Sequence, residues 1–230
     1  MKIQDAKIIL CDIDSTVTEA MRENKIIDFR NAVFEMFSTH IAANRKISVE
    51  EARFALEDMA NNVLVWWDYP DLISSFGLDP VLIWKEMRRI HKDILHIYSD
   101  AVEMVKYLKS AGKDLYIMSN NPVTGCLLKL EAAGLASLRG SDYFKRIFGT
   151  NITHGMKSQV PMWKRVIANL GEDPEYILTI GDHVKEDFEI PNKAGIRHSI
   201  IVDRTSKEPV TEKCGYICVN SLSLVKGIVK

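Results

Sequence analysis

The chain has 230 residues, 30 Lys and Arg against 31 Asp and Glu, a formal net charge of -1 and 47% hydrophobic residues. That length supports a substantial core with room for a second, smaller one, and the ordinary apolar fraction excludes disordered and fibrous classes. The two charge signs are interspersed, so neither nucleic acid nor a membrane is an expected partner, and a small soluble ligand is the default.

Along the chain, the first apolar run, Lys7 to Cys11, is too short and too polar in its flanks for an export signal, and no later stretch is long enough to cross a bilayer. Its continuous apolar character fits a strand buried on both faces. Residues 17–98 then read as helices only. Ile26, Phe29, Val33, Phe37 and Ile41 form one apolar stripe. Ser48 and Glu51 make a capping box for a second helix running toward Val65. Asp79-Pro80 starts another, with Leu82, Met87, Ile90 and Ile94 as its expected buried side. Three of the four tryptophans, Trp66, Trp67 and Trp84, lie in this segment and are expected to pack its interior.

No glycine precedes Gly77, whereas all 12 fall from there onward, which marks a change of architecture. Strand-type runs recur at Asp114 to Met118, Arg146 to Phe148, Ile177 to Ile180 and Ser199 to Val202. Helices Asp100 to Ala111, Pro122 to Ala133 and Val160 to Leu170 separate them, each ending at a glycine. Alternating strands and helices imply a parallel sheet with right-handed crossovers. The expected fold is α/β, a three-layer Rossmann-like core of residues 1–16 and 99–230, with residues 17–98 inserted as an all-helical cap. The cysteines at 11, 126, 214 and 218 match neither zinc spacing nor a disulfide framework. Gly215 to Val219 reads as a strand that would hold Cys214 and Cys218 apart, and a cytoplasmic location is expected. Nothing in the sequence encodes an oligomeric state.

The chemistry concentrates where strands end. Ile8 to Cys11 runs into Asp12-Ile13-Asp14, two carboxylates that an extended chain would place on one side, roughly 6.5 Å apart. Open parallel sheets bind ligands at that end, and two anions so close call for a cation, for which a hard divalent ion with oxygen ligands is suited. After the second run stands Ser119-Asn120-Asn121-Pro122, before a helix whose first amides favour anions. Lys157 precedes a later helix and can meet a phosphate as a point charge, although Lys145 and Lys164 are alternatives. After the next strand come Gly181, Asp182 and, further on, Asp187.

This order resembles the four motifs of the haloacid dehalogenase-like hydrolases: Asp12 with Asp14, Ser119, Lys157, and Asp182 with Asp187. Pro191 to Ile196 is similar to the family's passage from helix to strand beyond the fourth motif, and an insertion after the first motif is where that family places a helical cap. The resemblance implies that Asp12 attacks phosphorus to form an aspartyl-phosphate and that Asp14 acts as general acid and then general base. It further implies that Ser119, Asn120 and Lys157 bind phosphoryl oxygens, and that Mg2+ is held by Asp12, the backbone carbonyl of Asp14 and Asp182, with Asp187 positioning metal waters or Lys157. Dehalogenases resemble this motif without the second acid, so a small phosphorylated metabolite is the expected substrate. A phosphotransferase or mutase and a non-catalytic phospho-ligand module are the rival readings. Ser15-Thr16 resembles phosphoserine phosphatases, where serine replaces the commoner glycine, yet Met21 stands where they carry glutamate and Asn120 where they carry glycine. Met21, Arg22, Trp66 and Trp67 are candidate specificity contacts, whereas His154 and His183 read as surface-loop residues.

Overall fold

The computed structural model describes residues 3–19, 25–63, 65 and 67–230; Met21, Arg22, Trp66 and the side chain of Ile26 lie outside the described residues. In chain order the elements are β1 (Ile8–Cys11), β2 (Thr18–Glu19), α1 (Lys25–Arg45), α2 (Val49–Asn62), α3 (Tyr69–Phe76), α4 (Pro80–Ile94), β3 (His96–Ile97) and α5 (Ser99–Ser110). There follow β4 (Asp114–Met118), α6 (Val123–Ala132), β5 (Phe144–Phe148), α7 (Thr150–Thr153), α8 (Val160–Leu170) and β6 (Ile177–Gly181). A π-helical turn at Val184–Glu189 leads into α9 (Ile190–Ala194), and β7 (His198–Val202), β8 (Val210–Lys213), β9 (Tyr216–Val219) and α10 (Val225–Ile228) complete the chain.

Seven strands form one sheet in the order β5-β4-β1-β6-β7-β9-β8, every pairing parallel except β8 with β9. The uninterrupted apolar character of β1 follows from burial on both faces. Ile9 and Cys11 join a core with Met104, Leu108, Leu130 and Val225, whereas Ile8 and Leu10 join one with Met162, Trp163, Val166 and Ile190. Helices therefore cover both sides, giving the three-layer α/β arrangement. The edge strand β8, with the sequence Val-Thr-Glu-Lys, is mostly exposed; that polar character protects an edge and also hides the strand from a hydrophobicity pattern.

Helices α1 to α4 pack around a separate apolar cluster containing Phe29, Val33, Phe37, Ile41, Leu56, Tyr69, Leu72, Ile83, Met87 and Ile90. Phe29, Val33, Phe37 and Ile41 are buried as their spacing requires, and Ser48 and Glu51 form the reciprocal capping box. Leu128 of α6 belongs to this same cluster, so α6 touches both the sheet's core and the inserted helices. Two departures from expectation are clear. The insert is not purely helical, because β2 pairs antiparallel with β3 at its base, through strands of two residues that are too short to carry a periodic signal. In α4 the buried side is Ile83, Met87 and Ile90, while Leu82 is 49% exposed. Positions 83, 87 and 90 keep helical three- and four-residue spacing, whereas 82 sits about 100° around the helix from 83.

That correction is measurable by urea denaturation. Ile83→Ala should cost about 2–5 kcal/mol because it leaves a cavity in the inserted helices, whereas Leu82→Ala should stay within about 0.5 kcal/mol. Equal losses for the two variants would contradict this packing.

Candidate active site

The strand order places the site. From central β1 the chain next builds β4 on one side and later β6 on the other, and such a reversal leaves a crevice at the strands' carboxyl ends. Cys11 pairs with both Ile117 and Ile180, so the residues that follow β1, β4 and β6 emerge at one level. These are Asp12, Ser119 and Asp182, and the Asp12 amide donates to Ile180 O at 2.8 Å. Lys157 comes from the connection between α7 and α8, beside β5.

The first motif does not continue as a strand. It turns after Asp12, with Ser15 at φ 55°, a left-handed conformation that costs a non-glycine residue on the order of 1 kcal/mol. The Ser15 amide donates to Thr18 O at 2.7 Å, and that bond helps hold the turn. The two acids point to different partners. Buried Asp12 accepts from Lys157 Nζ at 2.7 Å through Oδ1 and from Thr16 Oγ1 at 3.2 Å through Oδ2. Half-exposed Asp14 accepts from Lys129 Nζ at 2.5 Å through Oδ1 and from Asn121 Nδ2 at 2.5 Å through Oδ2.

Lys157 is almost wholly buried and also meets Asp187 Oδ1 at 2.6 Å. Burial alone would lower its pKa, but the carboxylates of Asp12 and Asp187 raise it far above the lysine value, so it is a fixed cation. Lys145, by contrast, pairs with Asp114, and Lys164 lies on exposed helix surface, so the geometry selects Lys157 among the three lysines. Asp187, at the π-helical turn, also accepts from the His183 amide at 3.0 Å. His183 and His154 are exposed, the former capping the Val184–Glu189 turn.

Ser119 is buried, and its Oγ accepts from the Asn121 amide at 3.1 Å and stands 3.0 Å from Asn121 Nδ2. The amide side chain of Asn120 is committed elsewhere than expected: Nδ2 donates to Glu186 Oε2 and Oδ1 accepts from the Lys157 amide, both at 2.8 Å. It braces the Lys157 segment against the turn that carries Asp187. The side chain that reaches Asp14 belongs to the next residue, Asn121. Sequence reasoning passed over Asn121, Thr16 and Lys129. Lys129 did leave a signal, since it interrupts the apolar positions Cys126, Leu128 and Leu130 on the buried side of α6.

One carboxylate oxygen from each of Asp12, Asp182 and Asp187 lies within 4.8 Å of the others. Fully ionised, these three acids and Lys157 leave two uncompensated negative charges. Burial pushes the Asp12 carboxyl well up; Lys157 opposes this, and Asp187, Asp182 and Asp14 add to it. Burial, reinforced by Asp187, likewise raises Asp182 from 3.8 to about 6. Crowded hard oxygens with surplus negative charge fit a divalent cation of the magnesium type. Asp14 differs: burial raises it, but the Lys129 ammonium and the hydrogen bonds from Lys129 and Asn121 hold it below the usual carboxylate value.

The switch point of the α/β sheet thus gathers a buried carboxylate, a fixed lysine and an acid cluster. The model for haloacid dehalogenase-like hydrolases matches residues 6–195, and the chain belongs to that family. It is 25% identical over 197 residues to an enolase-phosphatase E1 of Granulibacter bethesdensis, covering 83% of each chain. It is 23% identical to that of Schizosaccharomyces japonicus, covering 91% of this chain and 93% of that one. Among solved structures it resembles a phosphatase of this family from Thermococcus onnurineus, with a TM-score of 0.64 and 20% identity over 96% of this chain and 97% of that one. L-2-haloacid dehalogenase from Xanthobacter autotrophicus has a TM-score of 0.57 at 15% identity, with coverage of 96% and 97%. These structural likenesses establish the fold.

Gly181 is where the framework leaves no slack. A Cβ there would lie 2.2 Å from the Asp187 carboxyl carbon. Gly181→Ala should displace Asp187 from Lys157 and cost about 1–3 kcal/mol of stability by thermal or urea denaturation. An unchanged transition would show that the contact is slack.

Proposed function

We propose that this hydrolase is a magnesium-dependent phosphatase acting on a small phosphate monoester, with residues 17–98 serving as a cap over a core of 1–16 and 99–230. The observation that carries the reading is the pair of acids at the end of β1, each held by its own lysine: Asp12 by Lys157 and Asp14 by Lys129. A displacement at phosphorus with an alcohol leaving group needs a nucleophile and a separate proton carrier, and these two environments keep the roles apart.

In this reading an Asp12 oxygen forms a bond to phosphorus as the bond from phosphorus to the alcohol oxygen breaks. Asp14, once protonated from solvent, gives that proton to the departing oxygen. It then takes one from water, whose oxygen attacks phosphorus and breaks the bond to Asp12, releasing phosphate. The pairing with Lys129 and Asn121 favours the ionised carboxylate, which is the form that the second step requires. Lys157 and Ser119 bind the phosphoryl oxygens, and Asn120 acts through the Lys157 backbone that it braces. Asp12, Asp182 and the backbone carbonyl of Asp14 would hold Mg2+, and Asp187, tied to Lys157, would support it from behind. Bound there, the ion would offset the repulsion between the acid cluster and an incoming phosphate. The enolase-phosphatase relatives support phosphatase over the other chemistries of the family.

Asp12→Asn should abolish magnesium-dependent phosphate release from p-nitrophenyl phosphate while the circular dichroism spectrum stays native. Asp14→Asn should lower turnover of an alkyl phosphate by about 10²- to 10⁴-fold. Near-normal rates in either variant would remove that residue from the chemistry. For Asp182→Ala, a magnesium titration of activity should need far more metal than in the parent protein; an unchanged titration would place the ion elsewhere.

The raised Asp182 value also sets a pH dependence. Between 3.8 and about 6 the folded state binds more protons than the unfolded one, so this group's contribution to stability falls as pH rises through that window. A cation offsets the loss only where the acid is ionised. Added Mg2+ should raise the melting temperature more near pH 7.5 than near pH 4, roughly the two ends of this titration. Equal shifts at both pH values would argue against binding at these carboxylates.

A further inference from the structure

Lys129 stands in an unusual place for a lysine. It projects from the face of α6 that buries Cys126, Leu128 and Leu130, and only 8% of the residue is exposed. Burying an ammonium is costly unless its charge is used. Two of its three N–H groups are accounted for, by Asp14 Oδ1 at 2.5 Å and Asn121 Oδ1 at 3.3 Å. No partner for the third is present among the described residues. The position matters more than the count. Lys157 occupies the phosphoryl side, between Asp12 and Asp187, whereas Lys129 lies beside Asp14, the residue that faces the leaving oxygen. The site thus has a second buried cation, on the side where the alcohol portion of a substrate departs.

The neighbouring helix α4 brings a neutral, enclosed ring near Lys129 rather than another charge. His91 of α4 is fully buried, with Nδ1 2.7 Å from Met87 O and Nε2 without a partner among the described residues. Burial lowers its pKa to about 3, and the charges of Lys129 and Asp14 both reach it. A neutral ring that donates through Nδ1 presents Nε2 as a bare acceptor. Among the described residues, Arg204 is engaged by Asp100 and Thr16 O, and Arg88 by Glu131. Neither competes with Lys129 for an anion beside Asp14.

Resting on the phosphatase reading, we infer that Lys129 is a specificity residue that selects phosphate monoesters whose alcohol carries a second anionic group, a carboxylate or another phosphate, close to the ester oxygen. The third N–H of Lys129 supplies a charge-assisted bond to that group.

The test is phosphate release from matched substrates by the full chain with Mg2+. 2-Phosphoglycolate is compared with 2-hydroxyethyl phosphate, and 1,3-propanediol bisphosphate with 3-hydroxypropyl phosphate; p-nitrophenyl phosphate reports the chemistry without either anion. The parent protein should favour the anionic member of one pair by about 10- to 100-fold in kcat/KM, chiefly through KM, and the pair that responds identifies carboxylate or phosphate. Lys129→Gln should bring that ratio close to unity, and Lys129→Arg should restore part of it. A parent ratio near unity while p-nitrophenyl phosphate is hydrolysed overturns this inference and leaves the phosphatase reading standing. A ratio that persists in folded Lys129→Gln overturns it as well. If the parent protein releases phosphate from none of these esters, the phosphatase reading fails and the inference falls with it.

Discussion

The ion pairs of Lys157 with Asp12 and Asp187 are the constraint on which the site depends. Three groups that water would solvate strongly are buried together, and breaking such a set by removing one member leaves an uncompensated charge inside the protein. The pairing also joins three separate stretches of chain: the end of β1, the connection before α8 and the π-helical turn after β6. The sheet puts those stretches within reach of one another, and the lysine fixes how they meet. Asn120 extends the same joint, because its side chain ties the Lys157 backbone to Glu186, on the turn that carries Asp187.

Charge balance then explains why the site suits a bound cation. Lys157 cannot neutralise Asp12, Asp182 and Asp187 together, and burial, reinforced by that excess, displaces the Asp12 and Asp182 titrations upward. Asp14 escapes that crowding because it has its own lysine on a different helix. Two carboxylates separated by one residue in sequence therefore occupy opposite electrostatic environments. Strand β1 ends at Cys11, ahead of both acids, so their directions are not held to the alternation of an extended chain.

Much of this was legible in the sequence, and for identifiable reasons. Strands buried on both faces leave continuous apolar runs, and β4 lies at the residues its run marked, Asp114–Met118. Helix α8 ends at Leu170 because Gly171 takes the left-handed conformation that stops a helix. Asp12, Ser119 and Asp182 follow strands of one parallel sheet, so their convergence follows from topology once the strands are known. What escaped notice lacked a periodic signal. The paired dipeptides of β2 and β3 are too short for any pattern, and β8 is polar because it lies at an edge. The partners of Asp14 are Asn121, from the connection after β4, and Lys129 of α6, across contacts that no spacing encodes.

Asn120 and Asn121 show where reasoning from residue type ends. Both are amides beside a strand end, and either could serve a phosphate. Their division of labour is set by the direction of the chain leaving β4. One amide turns toward the Lys157 segment and holds a backbone, whereas the other turns toward Asp14 and holds a carboxylate. Gly149 helps impose that path, since a Cβ there would come within 2.5 Å of Asn121 O. The Asn121 carbonyl in turn accepts from the Thr150 amide, so this loop is pinned by backbone on the β5 side. The hydrogen bond from Asn121 to Asp14 thus rests partly on the absence of a side chain at Gly149.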